Sequence, residues 1–369
     1  MQPKIKNEFE TWLLSELYKA YFKARRGKRN TNDEYIFESN LAENMVKLRD
    51  SIISREYIPS GGIAFVTRDP VTREIFAAPF RDRVIHHFIY NMVYDWWDKR
   101  FIYDSYSCRI GKGTLFGIDR LSKMIRCKTE NYTKKAYVVK LDIKSYFMSL
   151  PRAGLYRRAM WGLDRQFPEK GELYEILKFL WRQVIFDDPV KEVEKRGSDK
   201  DWLDLPFDKS LFRQPPGQGI VIGNLSSQLL SNIYLDLLDR FIKYNLGYKY
   251  YGRYVDDFFL IVSEEEYPQM KRDIHAIEEF LRGIELRLHP KKRYIQEVPK
   301  GVAFLGAVVY PRRVVPGRRL KRNFYKAVKR ANMTGVDFDV ITSYRGLLKQ
   351  FCGDQLETKV LSLARGWEI

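Results

Sequence analysis

The stretch that most limits what this chain can become is residues 250–261, Y-Y-G-R-Y-V-D-D-F-F-L-I. Runs of β-branched and aromatic residues flank Asp256-Asp257, which reads as two strands joined by a tight turn. Aspartate at a hairpin turn is ordinary, because its side chain caps its own backbone. The setting is less ordinary: both carboxylates sit among residues apolar enough to be buried, and unpaired buried carboxylates are costly. A divalent metal would neutralise them. Successive strand residues point to opposite faces, so the pair cannot cage a metal alone, and a third carboxylate is needed from another strand. Residues 138–143, V-V-K-L-D-I, supply it, with Asp142 interrupting a strand-like run.

A shared carboxylate set of this kind suits nucleotidyl transfer with two magnesium ions about 4 Å apart. One ion activates the attacking hydroxyl and the other steadies the leaving pyrophosphate. The charge agrees. At +18 over 369 residues, an extended polyanion is the natural partner. The length allows two or three subdomains, and the 15% aromatic content argues against disorder. Cys108, Cys127 and Cys352 lie far apart without C-x-x-C spacing, so they read as free thiols in a reducing compartment. No signal-peptide core and no apolar run of roughly 20 residues is found, so a cytoplasmic, membrane-free protein is expected.

Residues 8–26 place Leu13, Leu17, Tyr21 and Leu14, Tyr18, Phe22 at helical spacing, followed by the basic run Arg25-Arg26-Gly27-Lys28-Arg29. Residues 63–80 read as a hairpin turning at Asp69-Pro70, and 80–97 carry the apolar spacing of a buried helix. His86 and His87 diverge by about 100° on that helix and cannot share a metal, so they are expected to be structural. Residues 182–215 are polar and mixed in charge, as in a surface insertion. A helix follows, with apolar pairs at 229/230, 233/234, 237/238 and 241/242 and a solvated face expected at Asp236 and Asp239. Between Arg312 and Arg330 stand nine Lys or Arg and no acid, interleaved with apolar residues. That is a helix packed on one side and able to grip phosphates through Lys321, Arg322, Lys326, Lys329 and Arg330 on the other.

Asp142 followed by Phe147, then Tyr254-Val255-Asp256-Asp257, resembles the palm of a reverse transcriptase. The run R-E-I-x-x-x-x-F-R-D-R-V-I-H-H from Arg73 resembles the fingers of bacterial members, and 302–309, V-A-F-L-G-A-V-V, resembles their closing palm strands. Residues 104–114, D-S-Y-S-C-R-I-G-K-G-T, match a further block, whose Arg109 and Lys112 suit a nucleic-acid backbone. Most of the family carries Q-G-x-x-x-S-P where this chain has Ile222-Gly223-Asn224-Leu225-Ser226-Ser227-Gln228. The I-G-x-x-x-S-Q form is similar to the enzymes of diversity-generating retroelements, and some uncharacterised bacterial relatives share it.

The resemblance implies an α+β, right-hand polymerase fold with an antiparallel palm sheet. Residues 1–125 would form the N-terminal helix and fingers, and 126–310 the palm, with an insertion at about 182–215 and returning fingers elements. Residues 311–369 would form a short basic helical thumb. Asp142, Asp256 and Asp257, helped by the backbone carbonyl of Ile143, would hold two Mg²⁺, with Mn²⁺ as an alternative. Arg73, with Arg68 as second candidate, would lie over the triphosphate. Phe147 would exclude a 2′-hydroxyl; Ile222, Gly223 and Gln228 would shape the nucleotide pocket, where Ile222 cannot hydrogen-bond a sugar. Lys291, or its neighbour Lys292, would protonate the leaving pyrophosphate. The implied partners are dNTPs, a structured template RNA that can also prime, the RNA–cDNA heteroduplex and a small helical accessory protein oligomer. The implied product is cDNA that is error-prone opposite adenine, as in mutagenic retrohoming. Two alternatives stay open: a defence-associated bacterial reverse transcriptase, and a non-catalytic RNA-binding protein on a polymerase scaffold. The intact aspartates argue against the second.

Overall fold

The structure, a computed structural model, describes residues 2–26, 31–68, 71–334 and 338–351. Gly27, Lys28, Arg29, Asp69, Pro70 and Cys352, which the sequence singled out, lie outside the described residues. The chain divides into two compact units, each assembled from separated segments.

The first unit comprises Met1–Ile102, Ile143–Arg240 and Glu279–Arg287. Its opening helix, Gln2–Arg25, packs on the helix Phe80–Asp98. Leu13, Leu17 and Tyr21 make the buried stripe, while Phe22 stays 63% exposed, so one of the two apolar spacings was the packed one. Strands Ile63–Thr67 and Arg73–Ala77 pair antiparallel, with Ile63 opposite Ala77 and Thr67 opposite Arg73. The 182–215 segment, read from the sequence as a surface insertion, is mostly exposed or half-buried. It begins in the last turn of the helix Glu172–Phe186, and its strand Glu194–Arg196 pairs in parallel with Ile63–Thr67.

The helix Leu225–Arg240 packs on Phe80–Asp98 and on Arg152–Gln166. With neighbours on several sides it keeps little solvated face, and the expectation for Asp236 and Asp239 fails: both are fully buried. The Asp236 carboxylate accepts hydrogen bonds from Arg158 (2.7 Å) and Arg240 (2.8 Å). Arg158 in turn lies 3.9 Å from the centre of the Trp161 ring. Both bonds go to Oδ2 and the buried Oδ1 has no hydrogen-bond partner, so burial still holds the Asp236 carboxyl above its ordinary value despite the two guanidinium groups.

The second unit comprises Tyr103–Asp142, Phe241–Glu278 and Leu288–Ile369. Its centre is an antiparallel sheet in the order Tyr251–Tyr254, Asp257–Ser263, Ala136–Asp142, Tyr294–Glu297. The helix Thr114–Lys128 packs on this sheet, burying Ile118, Leu121 and Ile125 against Val138, Phe259 and Ile261. A three-stranded antiparallel sheet, Val302–Phe304, Ala307–Tyr310 and Arg313–Pro316, shares that core. The basic helix Arg318–Thr334 packs on Phe338–Leu348 through Phe324, Val328, Ala331, Ile341 and Leu348. Cys108 and Cys127 are free thiols. Among the described residues no helix is long and apolar enough to cross a membrane.

His86 and His87 are held in packing, as expected. The His86 Nδ1 lies 2.8 Å from the Ser226 hydroxyl. Burial pushes the His86 imidazole down to about 4, with Asp82 opposing and His87 and Arg83 adding to the shift. Burial likewise takes His87 to about 4. The fold therefore favours both rings neutral, a contribution present above the ordinary value of 6.5 and lost as pH falls toward 4. Thermal melts should show the midpoint dropping across that interval. His86→Gln keeps a partner for Ser226 without titrating there, so its midpoint should drop less. An equal drop would place the acid sensitivity elsewhere.

Candidate active site

The carboxylates of the second unit are positioned by strand register. Asp142 ends its strand directly opposite Asp257, which begins the next. Tyr254 also pairs with Asp257, leaving Val255 and Asp256 as a two-residue turn. Opposed residues in an antiparallel pair share a face, so Asp142 and Asp257 form a cross-strand like-charge pair, which is destabilising unless compensated. Burial, then the Asp142 charge, pushes the Asp256 carboxyl up to about 6. Burial also raises Asp257, with the Lys140 charge and hydrogen bond opposing.

Two lysines supply the compensation. The Lys292 ammonium donates to both oxygens of Asp142 at 2.9 Å, and that of Lys140 stands 3.2 Å from Asp257 Oδ2. The lysine that reaches the carboxylates is therefore Lys292; Lys291 is exposed and donates its backbone N–H to His289 Nδ1. Lys140 was missed, although a signal existed: it lies two residues before Asp142 on one strand and so shares its face. The donors are hard oxygens of the kind magnesium takes. Cations already stand on two of the three carboxylates, so the chemistry of the set fits a divalent ion. Among the described residues, no three His, Cys, Asp or Glu side chains are drawn together around one point.

The nucleotide-pocket candidates belong to the first unit, apart from Lys291. Arg73 opens its strand with an exposed side chain. Arg68 is engaged by Asp201 at 2.6 Å and Asp204 at 3.5 Å. Glu74, which the sequence did not single out, is fully buried and ties the hairpin to its surroundings. It accepts from the Ser210 hydroxyl at 2.6 Å and the Leu211 N–H at 2.8 Å. Phe147 and Ile222 are half-buried and both pack against the cluster of Ala64, Phe76, Met148, Leu211 and Val221. The Ile222 carbonyl accepts the Phe76 N–H at 2.9 Å, so this segment docks on the hairpin by its backbone. Gly223 makes that possible: at φ +135° a Cβ there would lie 2.2 Å from the Phe76 carbonyl oxygen. Gln228 sits in the first turn of its helix, where its carbonyl accepts the Ser231 hydroxyl. Ile143 is fully buried.

Of the nucleic-acid candidates, Arg109 is buried and donates to the Ser105 carbonyl, while Lys112 donates to that of Tyr103. Both brace their own loop. On the basic helix, Arg322, Lys326, Lys329 and Arg330 are exposed opposite the face that carries Phe324 and Val328, while Lys321 is half-buried beside that face.

Residues 71–309 match the family model described as reverse transcriptase (RNA-dependent DNA polymerase). No curated protein matches the chain. Among solved structures, the chain is similar to telomerase from Candida albicans in complex with a TWJ fragment of telomeric RNA. The identity is 12% and the TM-score 0.47, covering 89% of this chain and 60% of that one. It is also similar to Candida tropicalis telomerase, in apo form truncated from its C-terminal domain (13%, 0.48, 70% and 55%) and with the TWJ fragment (11%, 0.49, 87% and 58%). The chain thus spans less than two thirds of the length of each of these telomerases.

The close approach at Gly223 is testable. Gly223→Ala forces a methyl group onto a backbone carbonyl at a φ that alanine resists, costing about 1–3 kcal/mol. The denaturant midpoint should fall accordingly. A midpoint equal to the parent's would mean that Phe76 and Gly223 are not held this near.

Proposed function

Because this chain belongs to the reverse transcriptase (RNA-dependent DNA polymerase) family, we propose that it is an RNA-directed DNA polymerase working through Asp142, Asp256 and Asp257. The observation that carries the reading is the register that sets Asp142 against Asp257 beside the Asp256 turn. These three carboxylates, with the Ile143 carbonyl, would hold two magnesium ions. Bound there, the ions supply charge neutralisation for the attacking hydroxyl and the departing pyrophosphate. Lys292, which donates to both oxygens of Asp142, would be the group that protonates a leaving pyrophosphate. Arg73 neutralises triphosphate charge, and Phe147 forms the apolar floor against which a deoxyribose packs.

The substrate is a template RNA with its heteroduplex, gripped through the exposed basic face of Arg318–Thr334. The I-G-x-x-x-S-Q segment supports a diversity-generating type that works with an accessory protein. Ile222, packed among apolar side chains, offers a sugar only dispersion contact, which supports lowered selectivity at weak adenine–thymidine pairs.

Primer extension on an RNA template tests the core of this. Asp256→Ala should abolish DNA synthesis while leaving RNA affinity nearly unchanged, because the lost group meets metal rather than phosphate. Extension at the parental rate would remove Asp256 from the mechanism. A second measurement addresses the sugar: Phe147→Ala should incorporate ribonucleotides at least about tenfold more readily relative to deoxyribonucleotides. Unchanged discrimination would assign the gate to another residue.

A further inference from the structure

Arg253 has no solvent exposure, although it lies one residue before the Tyr254-Val255-Asp256-Asp257 turn. A buried guanidinium is sustained by hydrogen bonds, and two of these join it to the turn and to the 104–107 segment. Its Nη1 donates to the Val255 carbonyl at 3.0 Å and its Nη2 to the Ser105 hydroxyl at 3.2 Å. The Arg253 N–H donates to the Asp104 carbonyl, and the Tyr106 N–H to the Arg253 carbonyl, both at 2.9 Å. Ser105 and Arg253 thereby form a short parallel bridge. Ser107 completes the arrangement, its hydroxyl accepting the Val255 N–H at 3.1 Å.

This segment is itself fixed. Arg120 donates to both oxygens of Asp104, at 2.7 and 3.2 Å, and the Tyr106 hydroxyl donates to Asp104 as well. Its approach depends on Gly252, where a Cβ would lie 2.4 Å from the Tyr106 hydroxyl oxygen.

What is held in this way is an unfavourable turn. Val255 has φ +56°, and it is the first of the two residues joining the strands, a position that two-residue hairpins fill with glycine or asparagine. For a β-branched side chain the left-handed region is a steric outlier that persists only when its surroundings over-determine it. Here both backbone polar groups of Val255 are engaged, the N–H by Ser107 and the carbonyl by Arg253.

We propose that Arg253, with Ser105 and Ser107, is the positioning device of the catalytic turn: it imposes the left-handed Val255 and so fixes the direction in which Asp256 and Asp257 present their carboxylates. The inference rests on the polymerase reading of those two aspartates. Arg253 touches no substrate and acts through the turn alone.

The test uses the full chain with Arg253→Met and Ser107→Ala. Four quantities are followed: kcat of primer extension, KM for dNTP, Mn²⁺ affinity by electron paramagnetic resonance, and the thermal midpoint. A turn that drifts by about an ångström lowers kcat on the order of a hundredfold in Arg253→Met and about tenfold in Ser107→Ala. Mn²⁺ affinity should weaken in both while the dNTP KM stays near the parent's. Parental kcat and Mn²⁺ affinity in both variants would overturn the proposal. So would a loss of activity that follows only the fall in thermal midpoint, with Mn²⁺ bound as before. Should Arg253→Met fail to fold, Ser107→Ala, which removes one hydroxyl, decides alone. If the parent chain itself makes no DNA, the polymerase reading fails, and the Mn²⁺ affinities still judge the turn.

Discussion

Two carboxylates, Asp142 and Asp257, oppose each other at the end of one pair of strands with Asp256 in the adjoining turn, and their like charge together with their burial must be countered by the residues around them. Asp142 and Asp257 face each other because antiparallel register leaves them no alternative, and Asp256 follows within the turn. At an effective dielectric of about 20, like charges a few ångströms apart oppose folding by several kcal/mol. The chain counters this with ammonium groups from two directions. One comes from the same strand as Asp142, and the other from the turn after residue 288. Burial first, and the Asp142 charge after it, keep the Asp256 carboxyl raised. A protein of ordinary charge would find this expensive. A chain at +18 has cations to place there, and the same excess serves its outer face.

In the first unit, buried acids play the opposite part, joining elements distant in the chain. Asp82 accepts from the Tyr57 hydroxyl and from both the N–H and hydroxyl of Ser60. Glu74 takes the Ser210 hydroxyl and the Leu211 N–H, and Asp236 takes two arginines. Each is a charge whose desolvation is tolerable only when all its partners are present. Such groups specify one arrangement of their neighbours more sharply than apolar contacts do, since a small displacement leaves a charge unsatisfied.

Much of this was legible in the sequence where a period was strong. The hairpin read around Asp256-Asp257, whose turn the structure sets one residue earlier, the hairpin read at 63–80 and the helix read at 80–97 all follow from alternation or from helical spacing. What escaped depended on partners far along the chain. Asp236 read as solvated because its partner Arg158 lies 78 residues away. Lys292 could not be preferred to Lys291 without knowing which side chain faces Asp142, 150 residues earlier. The sequence assigns Arg253 no role, and its partner Ser105 lies 148 residues away. The strand Glu194–Arg196 has no apolar residue and so carried no strand signal.

That strand has a consequence of its own. It pairs with Ile63, Ala64 and Phe65 on the side of their strand that would otherwise present unpaired backbone groups to an extended chain. Its three residues, Glu194, Lys195 and Arg196, are all charged and exposed, so the new outer edge repels the extended chains that a bare one would recruit. The segment that read as a surface insertion thus closes part of this edge, and shortening it would leave the backbone groups of Ile63, Ala64 and Phe65 open to pairing with another strand.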